Sequence, residues 1–447
     1  MIPAAAGGTD QGAGAVSVLA HGVGSRADLP VPVWLAIPGA TFAVIASFAA
    51  LGLLWRKPRL NADAGRPLPV AVQAAIDNPI TTWVLRAVVL GIAAIVVAVA
   101  LVGPTDSSQN LGVYGLYITF WVGLVPVSLL FGPVWRRVNP LRTLYALIAR
   151  ITGPAPAADR LDRIGLWPAA VALLSFTWLE LAYPDRSRPS TVALFLVCYG
   201  VTQLLAGLWF GPGWFARGDG FEVYSTLLGR LAPIGRRSDG RLVVRNPLDG
   251  AEGTPQLPGL AAVMVVLLGS TAFDGLTRTQ WWQNGPGLPG DSAGLIATLG
   301  LLDTVGLVAA LYVGAAVLSS RISGTGDGPG TFAHSLIPIA AGYAVAHYFS
   351  LLLLDGQLTW ILASDPFQSG LNLFGTAFGA VNYTLVTPRT ISLVQVGAIV
   401  LGHVVGVVLA HDRAVRVAPG PRTLVAQYPL LLVMVTFTVC GLGLLLG

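Results

Sequence analysis

Apolar residues in this chain fall into ten long blocks separated by shorter polar stretches: 31–55, 83–103, 110–132, 166–183, 191–210, 258–277, 293–319, 332–354, 391–411 and 424–446. Most approach or exceed the roughly 20 residues a helix needs to cross the hydrocarbon core of a bilayer. Strands of a membrane barrel would be about ten residues long and alternate in polarity, and no block does so. The pattern predicts an all-α, polytopic transmembrane bundle of about ten helices over 31–447, with an extracytoplasmic tail at 1–30. The fourth block is the shortest and relies on Trp167 and Tyr183 to reach the two interfaces.

Composition sharpens this reading. Of 447 residues, 54% are hydrophobic and 11% charged, with mean hydropathy +0.71. A soluble domain carries about 25% charged residues, so this surface must face lipid. The loops after blocks 1, 3, 5, 7 and 9 hold 4, 6, 6, 1 and 3 basic residues, twenty in all. Only Arg26, Arg186, Arg188, Arg278 and Arg389 fall on the other side, while Arg86 lies within the second block. Excess Lys and Arg mark the cytoplasmic side. The asymmetry therefore predicts a multi-pass protein of the cytoplasmic membrane with both termini outside, and with cytoplasmic loops at 133–165 and 211–257. The same alternation excludes a nucleic-acid stripe despite a pI near 9.4; the expected partners are the lipid bilayer and a small molecule or ion. Residues 1–20 make a poor secretory signal, although Val18-Leu19-Ala20 suits cleavage before His21, where a free amine and imidazole could chelate copper.

Two stretches repeat. Phe131-Gly132-Pro133-Val134-Trp135 closes block 3 and Phe210-Gly211-Pro212-Gly213-Trp214 closes block 5. Tyr145 and Tyr224 keep the same offset, within amphipathic stretches Leu141–Arg150 and Phe221–Arg230. Leu173–Glu180 in block 4 resembles Leu267–Asp274 in block 6. Blocks 3–4 and 5–6 thus read as parallel copies of one helical hairpin, an arrangement found in transporters.

An ionisable group inside a bilayer is costly and is a functional candidate by default. Glu180 and Asp274 occupy matching positions near the outer ends of their blocks, where paired carboxylates could hold a cation, share a proton or orient water, or simply solvate the helix ends. Asp303 lies deep in block 7, and the depths of His347 and His403 permit contact with it. A carboxylate and two imidazoles suit a divalent transition metal or a proton relay, and equally a hydrogen-bonded cluster gluing helices together. His334 and His411 belong to the cytoplasmic ends of blocks 8 and 9, and His411-Asp412-Arg413 reads as a helix end with interfacial charge. Gly218–Glu222 reads as a helix cap, Asn139-Pro140 and Asn246-Pro247 as turns. Cys198 and Cys440 read as buried small hydrophobes. Residues 356–390 are too apolar for a free loop and too broken for a span, which predicts an outer cap or a partly re-entrant segment able to gate the acidic pair.

Signatures of soluble enzymes are absent: no Walker motif, no Gly-x-Ser-x-Gly, no His-Glu-x-x-His and no Cys-x-x-Cys. Several stretches do resemble a family of actinobacterial multi-pass membrane proteins often labelled fenitrothion hydrolase-like. They are His21–Pro30, Trp214–Ser225, Ser335–Phe349, Gly402-His403 and Ala410–Arg413. That resemblance implies hydrolysis of organophosphate esters and assigns no catalytic residues. The residues themselves favour a transporter or permease-like protein with an outward-facing site at Glu180, Asp274, Asp303, His347 and His403. A membrane-embedded hydrolase with metal at Asp303, His347 and His403, and a structural or assembly protein, are the alternatives.

Overall fold

The computed structural model describes residues 33–446 apart from 154, 156, 158, 159, 327, 419, 421 and 422. The tail with its cleavage point and His21 lies outside the described residues. Among those described, nine helices are long and apolar enough to cross a membrane, and a tenth is apolar but shorter. The chain is a mostly helical, multi-pass membrane protein. In order the helices are α1 (Val33–Leu54), α2 (Pro79–Val102), α3 (Leu111–Phe131), α4 (Trp167–Leu181), α5 (Pro189–Phe210), α6 (Leu260–Thr277), α7 (Ala293–Ser323), α8 (Ile337–Leu354), α9 (Pro388–Val417) and α10 (Thr423–Leu446).

Within α3, Gly115–Val122 forms a π-helical stretch. The Gly123 amide donates to the Ile118 carbonyl five residues back, at 3.1 Å. Only glycine fits there, because a Cβ would stand 2.1 Å from the Thr119 carbonyl oxygen. Wide turns of this kind concentrate at functional sites, and this one carries Tyr117 and Trp121.

One end of the bundle is tied by polar contacts. After α1, β1 (Arg66–Pro67) joins a small antiparallel sheet with β2 (Ile234–Arg236) and β3 (Leu242–Val244), in the order β1-β3-β2. Asp77 binds Arg236 at 2.7 Å and stands 3.9 Å from Arg137 of the loop after α3. Glu252 accepts from Arg413 Nε at 3.1 Å and lies 3.3 Å from both Arg416 and His334. Asp412 accepts from the Trp55 indole at 2.8 Å and the Arg59 amide at 2.7 Å. Loops after α1, α3 and α5, the turn before α8 and the end of α9 therefore meet at this sheet end. At the opposite, cap end, helix Gly356–Ser364 follows α8, and residues 365–387 fold as turns on the surface with Phe378 92% exposed.

Four local expectations need correction. Phe221–Arg230 is no surface helix: Gly220–Leu228 is inserted into the bundle, with Phe221, Val223, Tyr224, Leu227 and Leu228 all buried. Its aromatic residues find partners there, Phe221 against Phe120 at 4.8 Å and Phe176 at 5.1 Å. His411, Asp412 and Arg413 are buried within α9, which continues because neighbours satisfy them; His411 Nδ1 is 2.9 Å from Gln427 Oε1. Cys198 and Cys440 are exposed on the bundle exterior, where an apolar thiol suits lipid. Asn139-Pro140 and Asn246-Pro247 start helices rather than turns, each Asn side chain accepting the amide two residues on.

The cap reading of Asp219 agrees with the structure: Oδ1 accepts from the Phe221 and Glu222 amides at 3.0 and 3.3 Å. The Tyr199 hydroxyl donates to it at 2.6 Å and Asn139 Nδ2 donates to Oδ2 at 2.7 Å. Arg142 grips the fully buried Glu222 with Nε and Nη2 at 2.6 and 2.5 Å.

Glu222→Ala leaves Arg142 facing a buried space without its carboxylate. It should cost about 3 kcal/mol, the lower end for a broken buried pair, because the Arg142 side chain is 14% exposed; thermal unfolding in detergent measures it. Burial pushes the Asp219 carboxyl up to about 6, against opposing hydrogen bonds from Tyr199 and Asn139. Between pH 4 and pH 6 the folded chain therefore holds a proton that the unfolded chain has released, so stability falls as pH rises through that window. Asp219→Asn keeps the cap and should flatten this part of the stability profile, read from melting temperatures across pH.

Candidate functional site

Glu180 is the penultimate residue of α4, which has only 15 residues. At 1.5 Å per residue it rises about 22 Å, less than the roughly 30 Å core, so its end sinks among longer neighbours. Asp274 occupies the last turn of α6 and is buried. The two carboxylates line one cavity of about 330 Å³, walled by α3, α4, α6, α7 and α8. Its mouth lies at the cap end, where Ser107, Arg186, Ser187 and Gly287 belong to loops. Interfacial solvation of the helix ends does not describe these acids; they face an internal space.

His347 Nε2 is in close contact with Asp274 Oδ2. Arg278 Nη2 stands 3.3 Å from the same oxygen and 3.1 Å from His347 Nε2. Asp274 and Arg278 are one helical turn apart, so the acid, the guanidinium and the imidazole meet without distorting α6. Glu180 is held differently. Tyr348 donates to its Oε1 at 3.3 Å and itself accepts from the Trp121 indole at 3.1 Å. At the mouth, Tyr117 donates to the Arg186 carbonyl at 2.9 Å.

Beneath this floor the bundle is closed by rings. Trp121 stacks on Tyr224 with centroids 4.7 Å apart and packs on Phe176 at 4.7 Å. Such contacts add about 0.5–1.5 kcal/mol each beyond area burial. An imidazole fixed by a carboxylate can move protons or hold an anion, and a second carboxylate nearby can hold a proton or a cation.

The expected cluster of Asp303, His347 and His403 is not assembled. Asp303 is exposed on α7, beside the exposed Leu299, Leu302 and Leu307. His403 is buried, its Nδ1 2.9 Å from the Ile399 carbonyl and its ring against Tyr343 at 5.9 Å. His347 is committed to Asp274. Depth along each helix allows the three to share a level, but rotation about the helix axis separates them. Among the described residues no three His, Cys, Asp or Glu side chains are grouped so as to hold a metal ion. Sequence reasoning missed Arg278, Tyr348, Tyr117 and Trp121; the i, i+4 spacing of Asp274 and Arg278 was the one available signal.

Asp303→Leu and Asp274→Leu should move stability in opposite directions. An unpartnered carboxylate at mid-span costs about 2.5–3.5 kcal/mol on insertion scales, so removing Asp303 should raise the melting temperature in nanodiscs. Removing Asp274 takes away the carboxylate that Arg278 and His347 both contact and should lower it.

No family model, curated protein or solved structure matches the chain, so the geometry of this cavity is the ground on which its function is read.

Proposed function

We propose that the chain is a transporter or permease-like protein of the cytoplasmic membrane, and that the cavity ending on Glu180, Asp274 and His347 is its substrate or ion site. One observation carries this reading. The cavity enters the bundle from the cap end and stops on ionisable residues, above an aromatic plug that closes the way to the sheet end. Access from one side to a charged site inside the membrane is what one state of an alternating-access carrier offers. Basic residues gather at the sheet end, which supports a cytoplasmic sheet end and external termini. Duplication of hairpins α3–α4 and α5–α6 gains support from a pair of contacts. Asn139 and Asp219, each capping the helix after a Gly-Pro break, bond to each other, and Arg142 and Glu222, three residues further on, pair likewise. The copies have since diverged: helix Pro140–Thr152 buries only Pro140 and Thr143, whereas Gly220–Leu228 is almost wholly buried.

A second reading, hydrolysis of a phosphotriester as the family resemblance implies, is favoured by the Asp274–His347 contact. It is the base-and-orienter arrangement that could activate water.

Accessibility separates the two. With Cys198 and Cys440 changed to serine, single cysteines at Ala297 in the cavity and Ser270 beneath it are exposed to an impermeant maleimide in vesicles of both orientations. Transport requires Ala297→Cys to react from the cap side and Ser270→Cys to react also from the sheet side. Reporters after Gly447 and within 236–252 should meanwhile report opposite compartments. Labelling from the cap side alone, with nitrophenolate released from an aryl phosphotriester and lost in His347→Ala, would replace transport by hydrolysis.

A further inference from the structure

A second, much smaller space lies directly beneath the cavity floor. Its volume is about 20 Å³, and Glu180, Tyr348, Thr177, Tyr224, Ser270 and Thr271 are among its walls. A chamber holds a water once it offers about 10–15 Å³ and two to four polar partners, and this one meets both conditions. Thr177, Ser270 and Thr271 donate their hydroxyl protons to carbonyls of their own helices, Leu174 at 3.3 Å and Leu267 at 3.2 and 2.8 Å. Their lone pairs remain for a water to donate to. The Tyr224 hydroxyl has no hydrogen-bond partner among the described residues and is available to donate to that water.

Glu180 lines both spaces. Asp274 does too, but it is engaged by His347 and Arg278. Glu180 has the Tyr348 phenol as its hydrogen-bond donor and no cation within ion-pair distance among the described residues. The charged and titratable groups around it are Asp274 and Arg278 from α6, His347 and Tyr348 from α8, Tyr117 from α3, Tyr224 from the inserted helix and Arg186 from the loop after α4. The cations among them sit at the mouth or on Asp274. An intramembrane carboxylate with no paired cation is costly to keep charged, and a proton reaches it from either space by transfer through water.

We propose that Glu180 is a proton-binding site set between the open cavity and a single-water chamber, and that the proton is the coupling ion of the carrier. The inference rests on the transport reading for the word coupling, while the proton site itself stands independently of it. From the cavity, hydronium gives its proton to the Glu180 carboxylate, leaving water and a neutral carboxyl. In release the carboxyl O–H breaks and the proton passes to the chamber water, restoring the carboxylate and forming hydronium there. Parting of Trp121 from Tyr224 then opens the chamber to the sheet end. No other bond changes.

The test is a pH-difference infrared spectrum of the full chain in proteoliposomes, with protons counted in a parallel pH jump. Wild type should show a carboxylic-acid C=O band in the acid spectrum and take up one proton more than Glu180→Gln, in which the band vanishes. Tyr348→Phe removes the hydroxyl that donates to Glu180 and also accepts from the Trp121 indole; in variant protein whose helix content and monodispersity match wild type, the band should shift as the carbonyl loses its donor. A band that survives in Glu180→Gln, or stays unmoved in Tyr348→Phe, overturns the proton site. A band that behaves as expected, in a protein whose Ser270→Cys never reacts from the sheet side, keeps the proton site and removes the carrier around it. Where Ser270→Cys does react from both sides, a pyranine-reported proton flux under an imposed potential that Glu180→Gln fails to abolish would refute coupling.

Discussion

A helix of 15 residues cannot reach both faces of a bilayer, and α4 is that helix. Its neighbours α6 and α7, with 18 and 31 residues, extend past its end. The gap above α4 becomes a cavity, and the residue near its terminus becomes the cavity floor. Glu180 sits near a loop in sequence and inside the bundle in space for the same reason. Lengthening α4 by two turns would carry that carboxylate to the interface and fill the space with helix. The π-helical stretch of α3 completes the arrangement by presenting Tyr117 and Trp121 to the same region.

The two ends of the bundle are built in contrasting ways. At the sheet end, buried acids are shared among several donors: Glu252 with Arg413, Arg416 and His334, Asp412 with Trp55, Arg59 and Arg416, Glu222 with Arg142 and Asn139. Each acid links segments distant in sequence, so loosening one strand of the network leaves a buried charge uncompensated. At the cap end, exposed aromatic turns lie over the helices, and the acids of the cavity are held by an acid–imidazole–guanidinium group and by one phenol on Glu180. A tied base and a lightly held mouth put any opening motion at the cap end and in the rings between, where the contacts are apolar and can be remade.

Much of this was legible in the sequence, for a physical reason. Apolar length is a direct measure of membrane crossing, so the blocks match the helices closely, α4 included. Glu180 and Asp274, expected at matching positions near the outer ends of their blocks, line one cavity. What could not be read was rotation. A helix apolar on every side offers no polar face to orient it, so the depth of Asp303 said nothing about whether it turned inward; it turned out. The inserted helix Gly220–Leu228 was hidden by the opposite effect: Phe221–Arg230 reads as an amphipathic stretch, but the charge of Glu222 is absorbed by Arg142 within the protein.

The exposed Asp303 and the enclosed Glu180 show how one physical cost has two resolutions. Neither carboxylate has an arginine within ion-pair distance among the described residues. Glu180 is given a phenol donor, hydroxyl-lined space for water and an open cavity above, so a change of its charge can be answered by its surroundings. Asp303 has only leucines beside it on the exterior of α7. A site that must gain and lose a proton needs the first environment, since it has to be tolerable in both states. By that requirement the carboxylate nearest a loop suits a proton site, and the one deepest in the sequence of its helix does not.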